Sequence, residues 1–202
     1  MHSEAPDVAG VLLAGGRATR MGGRNKAFAA VGGEPIAART IRVLRETFPQ
    51  VIVATNAPDD FARFGVDVVP DAYPGRGPLA GLHAAMRVAR HPHLFAVACD
   101  MPGLDADVIR LLLGRIGAAD AVVPRWAGDI EPLHAIYAVR LLPLIERCLE
   151  SGGTAMREFL PLVRVDYVSE AELRGIAAAA ASFTNVNTPE ELAAVGGRFD
   201  DA

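Results

Sequence analysis

The sequence predicts an α/β fold with a mainly parallel sheet and helices on both faces, and three observations predict it. Short β-branched runs alternate with longer amphipathic stretches, which is the pattern of βα units. Leu94 to Cys99 is apolar without interruption, as strands buried on both faces of a parallel sheet are. Polar and glycine-rich residues follow the first four apolar runs, at the strand ends where open α/β sheets bind ligands.

The elements follow in order. Val8 to Leu13 reads as the first strand. Pro35 suits a first helical position, and Ala37, Ile41, Leu44 and Phe48 keep helical spacing to about Phe48. Val51 to Ala54 is a buried second strand, Asp59 to Phe64 a short helix, and Asp67 to Val69 a third strand closed by Pro70-Asp71. Leu82, Ala85, Met86 and Ala89 share one helix face ahead of the strand Leu94 to Cys99. Leu104, Val108, Leu111 and Leu112 mark another helix, capped by Asp105, before the strand Ala121 to Val123. The polar, turn-rich stretch Arg125 to Pro132 then reads as an inserted loop ahead of the strand His134 to Val139. Helices near Leu141 to Leu149 and Thr154 to Leu160 and a strand at Val163 to Val168 come next. The final helix starts at Pro189, where Thr188 and Glu191 form a capping box. Ile176 to Ala181 carries no assignable period.

Composition narrows the function classes. The chain has 202 residues, one domain's worth at roughly 150 residues per domain, so a single domain over 1–202 is expected. It has 20 Lys and Arg against 24 Asp and Glu, a net charge of −4. No general basic surface is left to hold nucleic acid, and any anion site must be local. The two cysteines, Cys99 and Cys148, make neither a disulfide framework nor a zinc site. The polar, acidic start fits no signal or transit peptide, and no apolar run approaches the roughly 20 residues that span a bilayer. A soluble, cytoplasmic protein without membrane or nucleic-acid partners is the expectation.

The segment Leu12 to Lys26 is the most informative. It is glycine-rich, and Arg17, Arg20, Arg24 and Lys26 lie within it. Glycines let backbone N–H groups approach an anion, and four cations suit a triphosphate. The competing reading is a solvated surface loop. A dinucleotide fingerprint fails because the glycines come as the pairs Gly15-Gly16 and Gly22-Gly23, and a P-loop fails because Lys26 lies between Asn25 and Ala27. Asp100, in Cys99-Asp100-Met101-Pro102, sits at the tip of a buried strand; since Asp105 can cap the next helix, Asp100 reads as a Mg²⁺ ligand. Asn56 and Asp71 end the second and third strands and fit either a site or a turn. Cys99 reads as a buried, inert thiol, and His134, without a metal or triad companion, as a satisfied, partly buried histidine.

Five segments in order carry a resemblance. Leu13-Ala14-Gly15-Gly16 with Arg20-Met21-Gly22-Gly23 and Lys26, then Gly77-Pro78-Leu79-Ala80-Gly81, Cys99-Asp100-Met101-Pro102, Glu131 to Tyr137, and Asn185-Val186-Asn187-Thr188-Pro189 resemble the molybdenum cofactor guanylyltransferases. The likeness runs from about Val8 to Leu192. It implies a Rossmann-like fold of the nucleotide-diphospho-sugar transferase kind. The implied reaction is transfer of GMP from Mg·GTP to the terminal phosphate of molybdopterin, with release of pyrophosphate. The N-terminal half would bind nucleotide and the C-terminal half the acceptor.

Carried over residue by residue, Leu13, Ala14 and Gly15 would contact the nucleotide, Arg20 and Lys26 its phosphates, and Asn56 and Asp71 the base and ribose region. Arg20, Lys26 and Asp100 would be the catalytic group, with Asp100 holding Mg²⁺, while Asn185 and Asn187 would lie toward molybdopterin. The family commonly has an acidic residue before the lysine, where this chain has Asn25. Relatives that use CTP differ in the first glycine motif and at Gly-Pro-Leu-Ala-Gly, so the resemblance favours GTP. Molybdoenzyme apoproteins and other cofactor-biosynthesis proteins are the implied protein partners. Two alternatives stay open: a cytidylyl- or sugar-phosphate nucleotidyltransferase on the same scaffold, and a non-catalytic GTP-binding or cofactor-carrier module.

Overall fold

In a computed structural model, residues 7–15, 20–21, 24–153 and 155–199 are described. Eight strands form the main sheet: β1 (Val8–Leu13), β2 (Val51–Ala54), β3 (Asp67–Val69), β4 (His93–Ala98), β5 (Ala121–Trp126), β6 (Asp129–Ile130), β7 (His134–Ala138) and β8 (Val165–Val168). Their order is β6-β5-β7-β4-β1-β2-β3, with β8 beside β5. The block β4-β1-β2-β3 is parallel throughout, which sends four C-terminal ends to one edge. β7 runs antiparallel to both β4 and β5, and β8 returns parallel to β5. The sheet is therefore mixed beyond β4.

The helices that position the site are α1 (Ile36–Thr47), α2 (Gly77–Val88), α3 (Ala106–Leu113), α4 (Leu142–Glu150) and α5 (Pro189–Ala194). Side chains alternate across a strand, so each central strand feeds two cores. Val8, Leu12, Val53, Phe95 and Val97 meet Ile41 and Leu44 of α1 and Val108 and Leu112 of α3 on one face. Ala9, Val11, Leu13, Ile52 and Ala96 meet Leu79, Leu82 and Met86 of α2 and Ile145 of α4 on the other. Burial on both sides explains why these strands carry unbroken apolar runs. A Cβ at Gly10 would lie 2.6 Å from the Phe48 ring, so the end of α1 packs against β1 at a distance only glycine permits.

Several expected boundaries move for local reasons. Pro35 ends the short strand Glu34–Pro35 and precedes α1 as its cap, with φ −56° and ψ 138°, rather than opening the helix. The short helix expected from Asp59 starts at Pro58, tightens to 3₁₀ geometry at Ala62–Phe64 and stops at Gly65, whose φ is +58°. The strand expected over Leu94 to Cys99 runs one residue earlier, which leaves Cys99 and Asp100 in the turn beyond it. Arg125 to Pro132 is not wholly loop, because β5 continues to Trp126 and folds back on β6 through Ala127 and Gly128, both at positive φ. The helix expected from Thr154 begins at Met156, and Ala179–Ser182 forms one turn in the unassigned stretch.

A smaller unit went unforeseen. Ala30–Val31 pairs antiparallel with Glu34–Pro35 and with Gly197–Arg198. Ala29, Ile36, Val186 and Leu192 form a separate small core beneath it. Asp105 and the Thr188/Glu191 box cap α3 and α5 as expected, with Thr188 accepting from Glu191 N–H and the Glu191 side chain returning to Thr188 N–H. No helix among the described residues is long and apolar enough to cross a membrane.

Candidate active site

A cleft of about 120 Å³ opens where β1, β2, β3 and β4 end. Leu13, Gly15, Lys26, Asp71, Gly81 and Asp100 are among its lining residues. Gly15 follows β1 and lies against Asp71, since a Cβ there would be 3.4 Å from Asp71 Oδ2. On the opposite wall a Cβ at Gly81 would be 3.1 Å from Leu13 Cδ2 and 3.7 Å from Asp71 Oδ1. Two glycines thus keep the floor open.

Asn56 and Asp71 hold each other across the ends of β2 and β3. Asn56 Nδ2 donates to Asp71 Oδ2 at 3.0 Å, and Asp71 N–H donates to Asn56 Oδ1 at 3.0 Å. Asp71 Oδ1 is buried with no protein partner. Burial pushes the Asp71 carboxyl above the usual carboxylate range, and the Asn56 amide partly opposes the shift. The cleft therefore contains a desolvated acceptor.

The cationic side of the site rests on Lys26, whose side chain is 3% exposed. Its Nζ donates to Asp100 Oδ2 at 2.8 Å and to Asn187 Oδ1 at 2.9 Å. Lys26 begins a 3₁₀ turn, Lys26–Phe28, that Asn25 caps by accepting Ala27 N–H at 3.1 Å. A carboxylate at position 25 could accept the same bond, so the turn that carries Lys26 needs an acceptor there rather than a charge. Asp100 O accepts Val186 N–H at 2.8 Å, which seats the segment after Phe183 against the end of β4.

Asp100 Oδ1 is buried and has no hydrogen-bond partner. A desolvated carboxylate oxygen is costly unless something occupies it, and a hard cation suits it. Among the described residues no group of three or more His, Cys, Asp or Glu could hold a metal. The single orphaned oxygen of Asp100 fits Mg²⁺, which commonly takes one or two carboxylates and completes its shell with phosphate oxygens and water.

The structure thus brings Leu13, Gly15, Lys26, Asn56, Asp71, Asp100 and Asn187 to one edge. Ala14 turns into the core beside α1, with its N–H donating to Ala54 O and its carbonyl accepting the Thr55 hydroxyl. Asn185 is exposed. Arg20 lies in the strand Arg20–Met21, paired with Arg24–Asn25, while Arg17 and both second glycines of the pairs fall outside the described residues. Cys99 is buried, its thiol pushed up to about 12 chiefly by that burial.

His134 departs from expectation. It is fully buried against Phe95 and Phe183, neither ring nitrogen has a partner, and burial alone drives its pKa down to about 3. It is a fully buried, neutral ring in an aromatic stack rather than a satisfied, partly buried one. Sequence reasoning also left Glu131 without a role. Its carboxyl is pushed up to about 7, first by burial and then by the negative charge of Asp129, with Asp100 adding to the shift and Arg157 opposing it.

A glycine-floored cleft at the carboxyl edge of a parallel block, with a buried lysine–aspartate pair in it, describes a nucleotide-handling transferase. The family described as the MobA-like NTP transferase domain matches residues 10–167. The chain is a nucleotidyltransferase of that family. It is 41% identical to a probable molybdenum cofactor guanylyltransferase of Pelotomaculum thermopropionicum, over 91% of this chain and 89% of that protein. It is 36% identical to the molybdenum cofactor guanylyltransferase of Desulfosudis oleivorans, over 92% of each. The crystal structure of molybdopterin-guanine dinucleotide biosynthesis protein A from Archaeoglobus fulgidus superposes with a TM-score of 0.77 at 27% identity, covering 93% of this chain and 96% of that one. A cytidylyltransferase from Thermus thermophilus shares the fold at a TM-score of 0.67 and 16% identity, covering 92% and 95%. The chain belongs to the molybdenum cofactor guanylyltransferases.

Proposed function

We propose that this chain transfers GMP from GTP to the terminal phosphate of molybdopterin, giving molybdopterin guanine dinucleotide and pyrophosphate. Family membership supplies the reaction class. The observation that carries the site is the Lys26–Asp100 pair, 2.8 Å apart and almost dry on the lysine side, on a cleft shared with Gly15 and Asp71.

On this reading the nucleotide base and ribose lie toward Asn56 and Asp71, beside Leu13 and Gly15, and the triphosphate toward Lys26 and Arg20. An oxygen of the acceptor phosphate attacks the α-phosphorus. The new P–O bond forms as the bond to the α,β-bridging oxygen breaks, and pyrophosphate leaves with that electron pair. The acceptor phosphate has a second pKa near about 6, so it arrives largely ionised and needs no catalytic base. Lys26, held in low dielectric, stabilises the charge that develops on pyrophosphate. Asp100 would hold Mg²⁺ through its unpartnered oxygen, and that ion supplies charge neutralisation at the phosphates when bound.

The single domain would divide its labour, with residues before about β4 serving nucleotide and Asn185 lying on the acceptor side. Molybdoenzyme apoproteins and other cofactor-biosynthesis proteins are the proposed protein partners, in the cytoplasm. A competition between GTP and CTP, with molybdopterin as acceptor and pyrophosphate and dinucleotide both measured, tests the reading. GTP-dependent dinucleotide formation is expected. Preference for CTP, or GTP binding without turnover, would replace it by one of the two alternatives.

A further inference from the structure

Lys26 has two protein partners, and they differ in kind. Asp100 compensates its charge, while Asn187 accepts a hydrogen bond without adding any. A lysine ammonium only donates, so the amide oxygen of Asn187 must face it. The amide oxygen of a residue expected to lie toward molybdopterin is thereby committed to the lysine.

Asn187 is itself held. Its N–H donates to Glu191 Oε2 at 2.6 Å, and Thr188 N–H donates to the same oxygen at 3.1 Å. One residue earlier, Val186 N–H donates to Asp100 O, and the Val186 side chain is buried with Ala29, Ile36 and Leu192. Gly197–Arg198 pairs with Ala30–Val31, just after the Lys26 turn. The segment 186–198 thus grips the lysine's own neighbourhood at several points, and Asn187 is where it reaches the ammonium.

We infer that Asn187 is a positioning residue, which orients the Lys26 ammonium toward the triphosphate, and that the capping glutamate Glu191 sets Asn187 in turn. An ammonium held by Asp100 alone could swing about one contact; a second, neutral acceptor removes that freedom without placing another negative charge beside the phosphates. Of the three N–H donors, two are then committed and one remains for a phosphate oxygen. An aspartate at position 187 would orient the lysine equally but oppose the phosphates. The inference rests on the proposed role of Lys26.

The test is a double-mutant cycle between Lys26→Ala and Asn187→Ala, read as kcat, KM for GTP and affinity for molybdopterin, with melting temperatures on the same preparations. Asn187→Ala is expected to lower kcat about tenfold, the effect of losing one hydrogen bond to a charged group, and to leave molybdopterin affinity unchanged. The double variant should be no slower than Lys26→Ala alone. Asn187→Asp, which keeps an acceptor oxygen but adds a negative charge, should recover part of kcat and raise KM for GTP. A merely structural role would lower the melting temperature without that rescue, and would overturn the inference. Multiplicative losses in the double variant, or weaker molybdopterin binding with kcat intact, would overturn it too and return Asn187 to the acceptor surface. If Lys26→Ala itself turns over normally, the role proposed for the lysine fails first and the inference falls with it.

Discussion

Asp100→Asn isolates charge from shape, because the amide keeps nearly the same volume and one oxygen where the carboxylate stood. The wild-type pair is 2.8 Å long, with the lysine side chain 3% and the aspartate 19% exposed. Removing one partner of a fully buried pair costs about 3–5 kcal/mol. Here the aspartate is partly open and Asn187 still accepts from Lys26, so the expected loss is smaller, about 2 kcal/mol. In a domain of this size that lowers the melting temperature by about 4–8 °C, leaving the protein folded at assay temperature. Turnover should nevertheless fall by at least about 10², the scale of one lost preorganised electrostatic contact. Pyrophosphate release at saturating GTP, over a Mg²⁺ titration, reads the loss. The variant Lys26→Met/Asp100→Asn carries neither charge and should regain part of the melting temperature with no gain in turnover. Mg²⁺-dependent turnover near wild type in Asp100→Asn would refute the assignment of Asp100, and activity in the doubly neutral variant would refute the pair.

Gly81→Ala should raise KM for GTP about three- to tenfold with little change in melting temperature, since the new methyl enters the cleft near Leu13 while alanine favours the helix backbone; an unchanged KM would move the nucleotide out of this cleft. Glu131 should make stability fall as pH rises from about 4.5 to about 7, because over that window the folded chain holds a proton that the unfolded chain has released. Glu131→Gln should flatten melting temperature against pH there, and a slope unaltered by the substitution would place the titration elsewhere.

The parallel half of the fold was legible because burial on both faces leaves a strong mark, an unbroken apolar run that ends in polar residues. Val8 to Leu13, Val51 to Ala54 and Asp67 to Val69 were each bounded correctly, and their ends converge as expected. The hairpin β5-β6 was less legible, since Arg125 and Asp129 pair through backbone while both residues stay exposed, and only Trp126 and Ile130 turn toward the core. Two-residue strands such as Ala30–Val31 carry no period to read. Within the site, Lys26 and Asp100 were named separately; the ion pair between them, 74 positions apart, is a product of topology. The Thr188/Glu191 box was read as the start of a helix, and nothing local marks its second task of holding Asn187.

The contact between Lys26 and Asn187 spans 161 positions, and the strand pairing that braces it brings residue 198 beside residue 30. Chains emerge from the ribosome N-terminus first at about 5–20 residues per second, and domains fold largely as units. The parallel block can close both of its cores once α3 and α4 are made, whereas the lysine meets Asn187 only after the segment 186–198 has been synthesised and docked. A nascent chain stalled short of that segment would present a formed cleft with an unaligned cation, able to hold nucleotide but poorly able to consume it. Docking of the segment 186–198 thereby becomes a precondition for the lysine to hold both of its contacts.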